Sequence, residues 1–319
     1  MLAERASLPA KRIGMSKGPA YLFNLFRRVL VRYDCLHEML SRFRESSAGS
    51  CIVIVGFLGN CQAELLHRAF RRIAPPGVES FYHFHDLTPE EASAARADLA
   101  RCDVLLMQDI RNVDDYPLHE AIDARTKVIR FPFLSFAAPW PWDDFNGFRD
   151  ASARAQDDVS LHTVTYYDGA LGRLRKRVAD PVARREAYRG LDLPGLVAPT
   201  RVLDFEMRRL EGLDTKFGIA IGRAILKGFR REQLFYTVNR PAGPLLAQLL
   251  AFLLDALALP RSSAALPELD ELGAIQVPIH PRVAQELGLV WATADRLYPH
   301  KGRLLDWDGY VSDYIARYS

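Results

Sequence analysis

The chain has 319 residues, 49% of them hydrophobic, enough to bury a sizeable core as one large domain or two smaller ones. A formal charge of +3 and an isoelectric point near 8.6 fall short of a dedicated nucleic-acid binder, so no nucleic-acid partner is expected. The four cysteines, Cys35, Cys51, Cys61 and Cys102, form no CxxC pair and no Cys/His ligand spacing, which argues against structural zinc and a disulfide framework and fits reduced thiols in the cytoplasm.

Residues 1–20 are polar and basic, without the apolar run of a secretory signal. Residues 21–44 read as an amphipathic helix, with Phe23, Phe26, Leu30, Tyr33, Leu36, Leu40 and Phe43 at three- and four-residue steps. Arg27, Arg28, Arg32, Arg42 and Arg44 make it basic. Such a helix packs on the core or on a partner, or lies on an anionic surface such as the inner membrane. The expected organisation is a tail and helix over 1–50, then a larger domain over 51–319.

Strands are expected at 51–55, 81–84, 103–108 and 127–131. A helix over 62–73 places Leu66, Ala69, Phe70 and Ile73 on one face. Another starts at Thr88, an N-cap followed by Pro89 in the first turn. This alternation predicts an α/β fold with a doubly wound parallel sheet, and such sheets bind ligands beyond the C-terminal ends of their strands. Residues 132–147, rich in Pro, Phe and Trp, read as an ordered, irregular wall. The region 151–269 reads as a helical lobe added to an α/β core of about 51–150 and 270–319. Within it, the apolar stretch 244–259 contains Gln248 and Asp255 and is shorter than the ~20 residues that span a bilayer, so a buried helix is expected. Residues 275–281 read as an extended segment entering a helix at Pro281.

The segment Gly56-Phe57-Leu58-Gly59-Asn60-Cys61-Gln62 reads as the loop from the first strand to the first helix. It places Cys61 at a helix N-terminus, which lowers a thiol pKa from its free value of about 8.5. Backbone N–H groups at such a turn, with the Asn60 amide, suit an oxyanion. Gly56 and Gly59 allow a sharp bend and close approach of a ligand. The spacing is not the GxGxxG dinucleotide fingerprint, and no Gly-Lys-Ser/Thr follows. A cysteine here is also consistent with a small buried hydrophobe.

A base is needed for acyl transfer, and His280 is the first candidate. It precedes Pro281, where a helix dipole disfavours imidazolium and keeps the ring a proton acceptor. The alternative is that it caps that helix. His83 and His85 share a strand face, and Asp86 can orient one of them. Without a further ligand they are not read as a metal site. His67 is expected to face solvent. Gln108 and Arg111, at the end of the third strand, suit an oxyanion and a phosphate or sugar, or simply cap the strand.

The turn Gly59-Asn60-Cys61-Gln62 after an apolar strand resembles the opening motif of the WcbI family, capsular-polysaccharide biosynthesis proteins regarded as acetyltransferases. Later stretches agree in order. The strand ending in Gln108 and the Phe131-Pro132 region resemble the family's. Leu234 to Pro241 resembles a Phe-x-Thr-x-Asn-His-Pro stretch, with Arg240 in the place of His. Ile279 to Trp291 resembles its His-Pro segment, and the aromatic stretch 307–318 also fits.

The resemblance implies an SGNH-like or Rossmann-like core, coenzyme A as acyl carrier, acetyl-CoA as donor and a sugar hydroxyl as acceptor. It implies Cys61 and His280 as catalytic, Gly59, Asn60, Gln62, Gln108 and Arg111 around the oxyanion and substrate, and Gly56, Asn239 and Arg240 at the cofactor. The basic run Arg173, Arg175, Lys176, Arg177, Arg184, Arg185 and Arg189 would then face phosphates, or be a solvated helix face. The turn also loosely resembles the Gly-Asp-Ser block of SGNH hydrolases, leaving a hydrolase as one alternative. A non-catalytic glycan-assembly protein docking through 21–44 is another.

Overall fold

A computed structural model of the chain describes residues 52–110 apart from Asp86 and Thr88, and then 118–144, 166–191, 195–261 and 266–318. The expected helix over 21–44 lies outside the described residues, as do Cys35, Cys51 and Arg111.

The central strand, β1 (Val53–Gly59), runs through the residues read as a loop rather than stopping at Val55. Packing explains the difference. A Cβ on Gly56 would lie 2.5 Å from the Phe81 ring, and one on Gly59 would lie 2.6 Å from Oε1 of Gln108. The glycines mark places where neighbours press against a buried strand, a common reason for glycine inside a sheet. The chain turns only at Asn60, and α1 (Cys61–Ile73) begins at the next residue.

Three parallel strands join β1 in the order β2-β1-β3-β4: β2 (Val78–Phe84), β3 (Val104–Asp109) and β4 (Lys127–Pro132). The registers Gly59↔Phe84, Leu58↔Met107 and Gln108↔Phe131 bring the C-terminal ends of all four strands to one edge. Successive side chains of a strand point to opposite faces. Phe57 meets Phe70 of α1 with ring centroids 5.3 Å apart. Leu58, with Leu105 and Met107, packs instead on Ala95 and Leu99 of α2 (Pro89–Ala100). The helices therefore cover opposite faces, and the sheet is doubly wound. Each buried aromatic or leucine in these layers contributes about 1.5–3 kcal/mol by leaving water.

Residues 132–143 form a strap in which Leu134, Phe136, Ala138, Trp140 and Trp142 are buried at alternate positions. Its polar groups are tied to later segments: the Phe136 N–H donates to the Val238 carbonyl at 2.7 Å, and Trp140 Nε1 to the Val277 carbonyl at 3.2 Å. The following segments are α3 (Gly169–Arg175), α4 (Pro181–Gly190), α5 (Pro199–Phe217), α6 (Ile221–Gly228), the hairpin β5 (Phe235–Thr237) and β6 (Arg240–Pro241), and α7 (Gly243–Ala256). The apolar stretch expected to be buried is α7, whose Leu245, Leu246, Leu249, Leu250, Leu253 and Leu254 are all inside. Among the described residues no helix is long and apolar enough to cross a membrane.

The extended segment enters α8 (Pro281–Leu287) as expected. A hairpin of β7 (Tyr298–His300) and β8 (Arg303–Leu305) and then α9 (Trp307–Tyr318) follow. No described strand after β4 joins the four-stranded sheet.

Candidate functional site

The turn at the C-terminal end of β1 is held from several sides. Asn60 is the N-cap of α1, its Oδ1 accepting the Gln62 N–H at 2.9 Å. The Asn60 N–H donates to Oε1 of Gln108 at 2.9 Å. The Tyr82 hydroxyl reaches the carbonyls of Gly59 and Asn60, both at 3.3 Å. Gln62 is fully buried. Its Nε2 donates to the carbonyls of Leu134 at 2.8 Å and Asn239 at 2.9 Å, and its Oε1 accepts from the Leu134 N–H at 3.0 Å and from Gln108 Nε2 at 3.2 Å. One amide thus ties α1, β3, the strap and the β5–β6 turn together.

Gln62 and Gln108, expected around an oxyanion, are therefore scaffold. All four hydrogen-bonding positions of the Gln62 amide are occupied within the protein. Gly56 is not at the ligand edge either. It lies in the middle of β1, against the Phe81 ring and Cys102 Sγ. Burial pushes the Cys102 thiol to about 11, so it stays protonated and inert.

Cys61 and Arg240 are brought together. Cys61, the first residue of α1, is solvent-exposed, and the half-buried Arg240 sits on β6. Crowding around the sulfur raises the thiol's pKa, the Arg240 guanidinium lowers it, and Glu64, one helical turn along, raises it again. The net direction is upward, opposite to the expectation from the helix N-terminus. Desolvation outweighs both the cation and the backbone N–H groups. Among the described residues, Arg240 has no carboxylate partner. Asn239 anchors the same turn, its Oδ1 accepting from the Thr237 hydroxyl at 3.2 Å and its carbonyl from Gln62.

His280 makes its contacts away from this turn. It is the N-cap of α8: its Nδ1 accepts the Arg282 N–H at 3.1 Å and its Nε2 donates to the Tyr188 carbonyl at 3.0 Å. The two bonds fix one tautomer and leave no nitrogen to take a proton. The ring packs between Trp142, Tyr188 and Trp307, with centroids 5.5, 5.0 and 5.0 Å away. Burial lowers its pKa to about 4. None of these contacts is in the 59–62 turn, so the geometry supports the capping alternative.

His67 does not face solvent. It is buried against β2, 3.1 Å from the Ser80 hydroxyl and stacked on Tyr82. His83 pairs with Asp98 of α2 at 2.9 Å. The His85 N–H donates to the Gly59 carbonyl at 3.1 Å, while Asp86 lies outside the described residues. No group of three or more His, Cys, Asp or Glu among the described residues suits a metal. The basic run is mostly satisfied internally. Arg184 is buried and bonds the carbonyls of Val178 and Ala179, and Arg189 pairs with Glu186 and Asp308. Asp109, two residues before Arg111 in the sequence, pairs with Arg130 and Lys216.

Sequence reasoning missed Tyr82 and Glu64. Glu64 was legible as the helical i+3 neighbour of Cys61. Tyr82 was not, because its place depends on the β1–β2 register, which pairs it with Phe57.

The fold and turn define an α/β protein with its candidate site at the C-terminal edge of a parallel sheet. A family model described as "Polysaccharide biosynthesis enzyme WcbI" matches residues 52–262, and the chain belongs to that family. A solved structure is similar over 84% of this chain and 90% of its own, with a TM-score of 0.61 and 15% identity, a likeness of fold. It is described as WcbI, a novel polysaccharide biosynthesis enzyme, a native protein without a disulfide bond between coenzyme A and one of its cysteines. No curated protein matches the chain.

Proposed function

We propose that the chain is a coenzyme-A-dependent O-acetyltransferase acting on a surface polysaccharide or its sugar precursor, in the cytoplasm. The observation that carries this reading is the Arg240 guanidinium beside Cys61, with no carboxylate partner among the described residues. A half-buried cation with no counter-ion among the described residues, next to the N-terminus of a thirteen-residue helix, suits an anionic ligand. Coenzyme A is such a ligand, with a pyrophosphate and a 3′-phosphate, so the donor set fits. The description of the similar structure, which mentions coenzyme A, supports the same cofactor here.

Acetyl-CoA supplies an activated thioester, whose acetyl–sulfur bond breaks as an ester bond forms to a sugar hydroxyl, coenzyme A leaving as its free thiol with the proton the hydroxyl gives up. Arg240 binds a phosphate through its planar guanidinium. Cys61, whose thiol keeps its proton, lines the site rather than carrying the acetyl group, which favours direct transfer. Glu64, the carboxylate that acts electrostatically on Cys61, is placed to accept the hydroxyl proton. Gln62, Gln108 and Tyr82 hold the turn. Calorimetric titration of the full chain with acetyl-CoA tests the reading: saturable binding is expected, and a folded chain that binds none removes it.

A further inference from the structure

Helix α6 carries a second electropositive feature, independent of the proposed chemistry. Arg223, Lys227, Arg230 and Arg231 are all exposed. Arg223 and Lys227 lie one turn apart on α6, about 40° apart around its axis, and Arg230 and Arg231 lie in the turn that follows Gly228. Ile221, Gly222 and Ile225, which are buried, lie on the opposite side. Among the described residues none of the four cations has a carboxylate partner. Nearby acids do not neutralise the stripe. Asp214 is engaged with the backbone N–H groups of Gly222 and Arg223 at 2.7 and 2.8 Å, and Glu232 is a single charge at one end.

The stripe adjoins an apolar surface. Arg230 Nε donates to the Leu287 carbonyl at 3.0 Å, and the Val290 N–H to the Arg230 carbonyl at 2.9 Å. Trp291 Nε1 fastens the same loop to the Phe229 carbonyl at 2.8 Å. Val290 is 69% exposed, and with Pro281, Ala284 and Leu289 it lines a cleft of about 390 Å³. A cationic stripe beside a projecting aliphatic side chain and an apolar cleft matches a bilayer surface, where headgroup phosphates meet the first methylenes. An acidic polysaccharide matches it less well, because Val290 offers neither a ring to stack on nor a hydrogen bond.

We infer that the face formed by α6 and the 288–294 loop docks the protein on an anionic lipid membrane. Co-sedimentation of the full chain with vesicles of phosphatidylglycerol and phosphatidylcholine, against phosphatidylcholine alone, tests this. Binding to the anionic vesicles only, weakened by salt, is expected. Each cation removed should weaken it about five-fold, so Arg223→Glu, Lys227→Glu and Arg231→Glu together should lose more than ~100-fold with the thermal midpoint unchanged. Val290→Asp should weaken binding without altering the stripe. Equal binding to neutral vesicles, or full binding by the triple variant (as the 21–44 segment alone would give), overturns the inference. So does loss by the triple variant of binding to polygalacturonate when the wild type ignores vesicles.

Discussion

Arg240 and Cys61 act on each other at the C-terminal edge of the sheet: the guanidinium lowers the thiol's pKa, and desolvation by the atoms crowded around the sulfur raises it by more. The sulfur is therefore reachable yet held as a thiol, beside a cation with no carboxylate partner among the described residues.

That balance sets the reactivity of Cys61. Its alkylation by iodoacetamide should stay slow at neutral pH and rise only above the ordinary thiol range. Replacing Arg240 with Ala removes the group that stabilises the thiolate, so the midpoint should move further up. A midpoint that moves down, or a fast thiol at pH 7, would contradict the arrangement. Mass spectrometry of the labelled peptide separates Cys61 from the buried Cys102.

Arg240 should dominate cofactor affinity. Loss of a charge-assisted hydrogen bond costs about 1.5–3 kcal/mol, roughly 10- to 150-fold in Kd for coenzyme A, in Arg240→Ala. Arg240→Lys keeps the charge without the planar fork and should fall between wild type and Ala. Calorimetry reads both, and equal affinity in all three proteins would remove Arg240 from the site.

Gln62 should matter for folding more than its surface-like chemistry suggests. Gln62→Ala leaves the Leu134 N–H and carbonyl, the Asn239 carbonyl and Gln108 Nε2 without their partner. Each buried orphan costs about 1–3 kcal/mol, so a loss of ~3 kcal/mol or more is expected in urea unfolding. Gly59→Ala should also destabilise, because its new methyl meets the Gln108 amide and the Ala63 methyl.

His280 should govern stability against acid rather than the pH profile of turnover. Its pKa is about 4 in the folded chain against an ordinary value of 6.5 for an unfolded one, and His67 behaves alike. The unfolded chain binds more protons between these values, so stability is full above 6.5 and falls as pH drops toward 4. The His280 share is ~3 kcal/mol at most. Asp168 opposes this: burial raises it from 3.8 to about 6, so its contribution is lost as pH rises across that range. Asp168 is common to wild type and His280→Asn, so the difference between their urea midpoints at neutral and mildly acidic pH isolates the histidine. A substantially smaller acid loss is expected in His280→Asn, while an unchanged one would contradict a buried neutral ring.

Much of the architecture follows from local pattern. The four strands, the two helices between the first three of them and the helical character of the middle region are written in hydrophobic periods of two and 3.6 and in proline positions. The limits of β1 are not. Gly56 and Gly59 carry the local mark of a loop, and only the pressure of Phe81 and Gln108 makes them strand. The sequence likewise marks His280 as the start of a helix but not which groups fill its two nitrogens, because Tyr188 is distant along the chain.

By itself the sequence determined the parallel α/β core, the Asn-Cys-Gln turn at its edge and the WcbI resemblance, since each rests on neighbouring residues. Tertiary structure alone decided which polar groups remain for a ligand. It occupied Gln62 and Gln108 with backbone from three segments, sealed His280 among aromatic rings and set Arg240 beside Cys61 with no carboxylate partner among the described residues. Hydrogen-bond saturation and desolvation depend on what folding brings near, and no local pattern encodes that.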